Sequence, residues 1–284
     1  MIYFCADDYG VSKESNSRIE ECVKNGVLNK ISVLPNGEIT NFKQNLSCLD
    51  TELALHINLV EGYPLSDRKD VSLLITEDGC FKYSFIGLLL LSVSGKRKEL
   101  EKQLYNEIKS QVKFWKNHMG NKDILIDSHQ HTHMIPLIFK TLIKVIKDEG
   151  VNVKYLRVPA EPVIPYILTP ALYFEYSFVG IAKQWLLKFL YAFNHKELKK
   201  SKIPTGYFMG VMFSGGMNKK RVKKLLVHYG KLAKKHDKNI EMGFHPGYVE
   251  EGEKLMEGTR SGFGKFYFSP LRRTEFDTLI SLKF

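Results

Sequence analysis

Ile124-Leu125-Ile126-Asp127-Ser128-His129-Gln130-His131-Thr132-His133 is an apolar run that passes directly into polar residues and carries three imidazoles at alternate positions. A buried strand reads this way when its carboxyl end opens onto a cleft. If the segment stays extended, the three histidines share one face; if it turns toward a helix at Pro136, only some point into one pocket. Spacing leaves both open, and a solvated His-rich loop stands beside them.

The same pattern recurs along the chain. Met1 to Ala6 reads as a strand that ends in Asp7-Asp8-Tyr9-Gly10, before a helical stretch from Ser12 to Val27. A second short strand is read at Ile31 to Leu34, and a third at Glu52 to Leu59, with His56 and Asn58 near its end. A small hairpin is predicted around Asp78-Gly79, inside an irregular excursion that overhangs the cleft. Lys96 to Met119 repeats Leu100, Leu104, Ile108, Val112 and Trp115 at helical spacing, and Pro136 to Glu149 reads as another helix. Val151 to Pro159 is a strand tipped by Arg157. Gly206 to Val211 is a strand or a substrate-facing loop, and Asn239 to Tyr248 a strand that ends in His245. Arg272 to Leu282 closes the chain as a helix.

Strands alternating with helices, each strand ending in a polar group, predict a parallel (β/α) barrel, distorted or incomplete, with a doubly wound sheet as the alternative. No linker or repeat divides residues 1–284, so one domain is expected, with an aromatic, Pro-punctuated insertion or lid at 160–204. Charged residues interrupt the apolar 181–193 stretch, which predicts a lid or partner surface, a homodimer contact for instance, rather than a membrane span.

The 42 Lys+Arg against 31 Asp+Glu give a net charge of +11, which raises nucleic acid or an anionic membrane as partners. Much of the excess falls on one face of an amphipathic helix around 219–235, with Val222, Leu225, Leu226, Tyr229 and Leu232 on the other. That is a solvated face, and with no nucleic-acid motif present no nucleic-acid partner is expected. Cys5, Cys22, Cys48 and Cys80 are widely spaced, as in a reducing cytoplasm. Met1 leads straight into a strand with no basic or apolar leader region, so cytoplasmic location is the expectation.

The strand ends gather Asp7, Asp8, His56, Asn58, Asp127, His129, His131, His133, Arg157 and His245. A carboxylate and two imidazoles can hold one divalent ion, Mg²⁺ or Zn²⁺, with positions left for water and substrate. Adjacent aspartates allow one to ligate and the other to act as general base. Each residue also has a plainer role: Asp7-Asp8 as a helix cap, His56 as a core histidine, Arg157 as a structural ion pair, His245 as a turn residue. Tyr207 and Phe208 could stack on a sugar ring or pack in the core.

Ala6-Asp7-Asp8-Tyr9-Gly10, Leu55-His56-Ile57-Asn58-Leu59, Asp127-Ser128-His129-Gln130-His131-Thr132-His133, Arg157-Val158-Pro159-Ala160-Glu161 and Phe244-His245-Pro246-Gly247 together resemble the motifs of the YdjC-like carbohydrate deacetylases. The resemblance covers nearly the whole chain in the family's order. It implies a barrel-related fold and removal of acetyl groups from N-acetylated amino sugars, such as chitin-derived oligosaccharides, by a metal-activated water. Carried over by position, it implies Asp8, His56 and His129 as metal ligands, Asp7 as general base, His245 as acid toward the departing amine and Arg157 holding Asp7. Asp127 is then a residue that orients a ligand, and Asn58, His131, Tyr207 and Phe208 are candidates for substrate contact. The 160–204 region matches no motif, so the sugar is open, and a lipid-linked sugar is the second substrate. Two other classes compete: an iron-dependent oxygenase, which also uses two histidines and a carboxylate, and a non-catalytic basic module on anionic polymer or membrane.

Overall fold

The computed structural model describes residues 1–40, 42–47, 49–120 and 123–283, so Cys48 lies outside the described residues. The first half runs β1 (Ile2–Tyr9), α1 (Lys13–Asn25), β2 (Lys30–Val33), α2 (Phe42–Ser47), β3 (Glu52–Ile57), α3 (Phe85–Ser92), α4 (Arg97–Met119) and β4 (Ile124–Ser128). The second runs α5 (Pro136–Asp148), β5 (Val153–Leu156), α6 (Ile164–Ile167), α7 (Phe178–Ser201), β6 (Tyr207–Met209), α8 (Lys219–His236), β7 (Ile240–Phe244), α9 (Ser261–Tyr267) and α10 (Pro270–Ser281). The expected hairpin at Asp78-Gly79 is present as a single antiparallel bridge between Ile75 and Phe81.

Among the described residues the strands form one parallel sheet of seven, ordered β5-β4-β3-β2-β1-β7-β6. The sheet curls until its edges meet. Leu156 N–H, at the end of β5, donates to Pro204 C=O just ahead of β6 at 3.0 Å, although the two strands share no ladder. The result is an incomplete barrel, as the alternation of strands and helices predicts.

Period-two alternation sorts the side chains. Phe4 and Ala6 of β1 join the apolar layer under the surrounding helices, with Ile31, Leu55, Ile126 and Leu156 from other strands. The opposite set points into the barrel and is polar. Lys30 Nζ reaches Glu241 Oε1 at 2.7 Å and Asp127 Oδ2 at 3.4 Å, with its ammonium 5.1 Å from the Tyr155 ring centroid. Below it Ala54, Leu125 and Tyr155 form a small apolar plug. Where most parallel barrels stack Val, Ile and Leu, this one buries charge.

α4 buries Leu100, Leu104, Ile108, Val112 and Trp115 as its periodicity predicts, and adds a polar stripe that periodicity does not reveal. Glu107 accepts the Leu65 and Ser66 amides at 3.0 Å, and Gln111 accepts the Asn58 amide at 3.0 Å. These contacts satisfy an irregular loop that has no sheet partner. The basic α8 packs with Val222, Leu225, Tyr229 and Ala233 inward and its lysines outward.

Inside the barrel two cations, Lys30 and Arg157, face three carboxylates, Asp7, Asp127 and Glu241. Lys30→Met therefore leaves three acids against one guanidinium, and removing one partner of a buried ion pair typically costs about 3 kcal/mol or more. Urea unfolding of Lys30→Met checks this; a loss under about 1 kcal/mol would show that the cluster does not need the second cation.

Candidate functional site

The carboxyl ends of the strands surround a cavity of 490 Å³ lined by Asp7, Asp8, His56, His129, His131 and His245, among others. A shallow hollow of 580 Å³ beside Tyr248 and Arg273 has no imidazole in its wall. The chemistry is concentrated in the first.

The tip of β1 is irregular. Its register against β2 slips between Ala6 and Tyr9, and Asp8 takes φ 69°. Asp tolerates this left-handed region better than most residues, and a bulge re-aims neighbouring side chains. Both successive aspartates thereby reach the cavity, whereas a regular strand would send them to opposite faces.

Asp7 is gripped by Arg157, whose Nη1 donates to Oδ2 at 2.6 Å and Nη2 to Oδ1 at 2.8 Å. Burial favours the neutral acid, but the Arg157 charge, helped by His56, prevails and holds the Asp7 carboxyl below its usual range. The same guanidinium donates through Nε to Glu241 at 2.8 Å, lies 2.9 Å from Asp127 and packs over the Phe208 ring.

Asp8 is divided between two duties. Oδ2 pairs with Arg272 from α10, while Oδ1 lies 2.9 Å from His129 Nδ1 and 3.7 Å from His56 Nε2. Burial again opposes ionisation, and His129 and Arg272 outweigh it, so Asp8 is held well below the usual carboxylate range. Both imidazoles are fixed from behind: His56 Nδ1 donates to Asp127 Oδ1 at 2.6 Å, and His129 Nε2 to Glu61 Oε2 at 2.9 Å. Tyr267 O–H also donates to Glu61, at 2.6 Å. Burial would lower the His129 pKa, but Asp8 and Glu61 on either side raise it to about 10.

The three histidines of β4 and its extension separate. Gln130 and His131 have φ 53° and 58°, so the segment is neither extended nor helical at that point. His129 and His131 line the cavity, while His133 turns into the core. There its Nδ1 accepts from Ser128 Oγ at 2.5 Å and its Nε2 donates to Arg157 C=O at 2.9 Å; burial takes its pKa down to about 4. Burial and the Arg157 charge hold His131 well below the usual imidazole range, and its Nδ1 has no partner among the described residues.

His245 stands on the cavity wall with its ring edge-on to Phe266 and its backbone N–H donating to Glu275. Three residues expected at the substrate are not on that wall. Tyr207 sits at the opposite end of the barrel, level with Ile240 at the start of β7, with its hydroxyl on His236. Phe208 is buried against Arg157 and His131. Asn58 is consumed by the loop it caps, accepting the Val60 and Glu61 amides at 3.1 and 3.2 Å. Strand polarity places a residue along the barrel only when the strand's limits are known, and those of β6 were ambiguous.

Several residues of the site carry no local signal. Glu61 and Lys183 lie in or on irregular or helical segments, and Tyr267 and Arg272 come from the last two helices. Glu161 follows Arg157 in a recognisable motif, yet its work is visible only in three dimensions. It is buried, accepts the Gly210, Val211 and Met212 amides and the Tyr166 hydroxyl, and offers its own carbonyl to Gln184 of α7. It joins two walls of the cavity, since Val211 and α7 both line it.

The fold and site define a class of protein: a curled parallel α/β barrel with a two-aspartate, two-histidine centre at the carboxyl ends of its strands. The chain belongs to the YdjC-like protein family, whose model matches residues 1–284. It is similar to a carbohydrate deacetylase of Danio rerio, 31% identical over 157 residues, 55% of this chain and 49% of that one. A carbohydrate deacetylase of Thermoanaerobacter pseudethanolicus is 30% identical over 190 residues, 65% of this chain and 73% of the relative. One from Clostridium beijerinckii is 27% identical over the same shares. The chain thus spans about half the length of the Danio rerio relative. A solved Enterococcus faecalis V583 protein, to which cellobiose-phosphate cleavage is provisionally ascribed, superposes with a TM-score of 0.66 at 16% identity, over 99% of this chain and 90% of that one, and supports the fold.

Glu161 gives this region a pH signature. Burial raises its pKa from 4.5 to about 7 despite four donors, so the folded state holds a proton that the unfolded state releases. Its contribution is complete below pH 4.5 and is lost as pH rises to about 7, with stability falling by up to about 1.4 kcal/mol per pH unit. Glu161→Gln should flatten that slope in urea unfolding across this range; an unchanged slope would assign it to another group.

Proposed function

We propose that the chain is a metal-dependent deacetylase that hydrolyses the acetamide of N-acetylated amino sugars. One observation carries the reading: Asp7, Asp8, His56 and His129 converge on one cavity that also holds His245. The name carried by the curated relatives points the same way.

Asp8, His56 and His129 fit a divalent ion, because one donor atom from each lies within 4.8 Å of the others and the imidazoles are braced by Asp127 and Glu61. Asp127 and Glu241 also approach Cys5, but Lys30 and Arg157 already neutralise that cluster. A bound Mg²⁺ or Zn²⁺ would supply Lewis acidity toward the acetyl oxygen and acidify water.

The chain's own groups move the protons. Asp7 takes the proton of the attacking water; Arg157 keeps it ionised and fixes its plane, at some loss of basicity. The oxygen of that water forms the new bond to the acetyl carbon. An amide nitrogen leaves readily only when protonated, and His245 is placed on the same wall to donate that proton. The C–N bond then breaks to give acetate and a primary amine. His131, with Nδ1 free among the described residues, is the candidate hydrogen-bonding contact to sugar hydroxyls, while Phe85, Leu186, Leu187 and Phe266 offer apolar surface to ring and methyl.

Residues 160–204 serve as a lid in this reading, since α7 contributes Lys183, Leu186 and Leu187 to the wall. A lipid-carried amino sugar is the second substrate reading, favoured by the apolar exposed surface of α7 beside the cavity. Cytoplasmic location goes with the reading, supported by the free thiols of Cys5, Cys22 and Cys80.

Acetate release from N,N′-diacetylchitobiose and longer chito-oligomers tests the proposal. Asp7→Asn should lower the rate more than about 10²-fold, and His129→Ala should abolish metal-dependent turnover. Native activity in both variants would refute the site, and a requirement for dioxygen would favour an iron oxygenase instead. Asp127→Asn, which loosens His56, should weaken divalent-ion affinity by about 10- to 100-fold in a calorimetric titration; unchanged affinity would remove His56 from the ligand set.

A further inference from the structure

α7 is apolar on both faces, with Leu187, Leu190 and Leu198 buried against the barrel. Its 24 residues make a regular helix, capped by Ser177 Oγ, but the face packed on the barrel includes Gln184 and Asn194. Both are buried and spend their amides on carbonyls, Gln184 on Glu161 at 2.5 Å and Asn194 on Met134 at 2.7 Å. The outward face carries Phe178, Trp185, Phe189 and Phe193, which are 85%, 61%, 61% and 60% exposed. At about 100° per residue these positions fall within one sector of about 80°, so they form a single stripe along the helix. Lys196 and Lys200 continue that sector at its end, with Lys199 at its flank, all exposed to solvent.

Isolated exposed apolar residues are ordinary, but a row of four aromatics on one helix is not. α3 adds further exposed apolar surface, with Ile86 and Leu90 51% and 64% exposed. Ile86 and Phe85 from α3, with Lys183, Leu186 and Leu187 from α7, form part of the cavity wall. The apolar surface therefore borders the mouth of the site.

We propose that this face docks on an anionic bilayer, with α7 lying in the interfacial plane. Aromatic rings settle at the headgroup–acyl boundary, and lysines beside them pair with anionic headgroups, which the chain's net charge of +11 also favours. Among the described residues no helix is long and apolar enough to cross a membrane, so the contact is peripheral. The cavity mouth is then turned toward the membrane surface. The inference is independent of the catalytic reading.

The test uses the whole chain with phosphatidylcholine vesicles, with and without phosphatidylglycerol. Of the two tryptophans Trp115 is buried, so a blue shift and quenching by brominated acyl chains report on Trp185. Expected are co-sedimentation with the anionic vesicles, a blue shift, and a loss of binding of about tenfold or more in Phe189→Glu. Replacing Lys196, Lys199 and Lys200 together by Gln should weaken binding to anionic vesicles to a similar degree. Circular dichroism and melting temperature should be unchanged in both variants, because the altered residues are exposed. Deacetylation of a soluble chito-oligomer should also be unchanged in Phe189→Glu, which separates a failure of docking from a failure of the enzyme reading. No binding to anionic vesicles, or equal binding by native protein and Phe189→Glu, would overturn the proposal. So would a stable dimer in light scattering that Phe189→Glu dissociates and vesicles do not, because a second copy would then cover the face.

Discussion

Arg157 is the residue on which the rest of the structure depends. It is buried, it binds Asp7 through both terminal nitrogens, and it touches Asp127 and Glu241 with the same planar group. The carboxylates come from β1, β4 and β7, and the arginine stands at the end of β5. A fork-shaped cation that cannot shed its charge suits this role, since a lysine would satisfy one acceptor well and the others poorly. Without it three acids would be buried together with Lys30 as their only full charge partner. The core of the barrel is therefore held by a polar knot, and the catalytic candidate Asp7 is one of its strands. Stability and the proposed chemistry draw on the same contacts.

That sharing explains a tension at the site. A general base, the role proposed for Asp7, gains from a pKa near the working pH, yet the contact that aims Asp7 also depresses its pKa. Asp8 shows the same compromise, with one oxygen given to Arg272 so that the other faces two imidazoles. Orientation is bought with basicity. Glu61 and Asp127 complete the arrangement from behind, each holding the imidazole nitrogen that faces away from Asp8.

Much of this was legible in the sequence, because strand ends announce themselves. An apolar run followed by Asp or His is visible at β1, β3, β4 and β7, and the alternation with amphipathic helices carried the fold class. The resemblance to a known family then named Asp7, Asp8, His56, His129, Arg157 and His245, and the structure gathers them in and around one cavity. What stayed hidden depends on long-range geometry or on backbone detail. Arg272 and Tyr267 lie more than a hundred residues from the groups they support. The bulge at Asp8 and the left-handed pair at Gln130 and His131 cannot be read from periodicity, and they decide which side chains reach the cavity. Periodicity likewise leaves Tyr207 and Phe208 open between sugar ring and core, because a short, glycine-bounded strand hides its direction and depth.

The seam between β5 and β6 gives the barrel an uneven stiffness. Six neighbouring strand pairs are tied by ladders, whereas this gap is crossed by the Leu156 to Pro204 hydrogen bond, by the Arg157 guanidinium lying on Phe208 and by Glu161 accepting the Gly210, Val211 and Met212 amides. This joint is made mainly by side chains rather than by a ladder, and it lies beside the arginine that holds Asp7. Small changes in ring diameter would act first on the tilt of that guanidinium. The closure of the scaffold and the aim of its most constrained carboxylate thus share one residue.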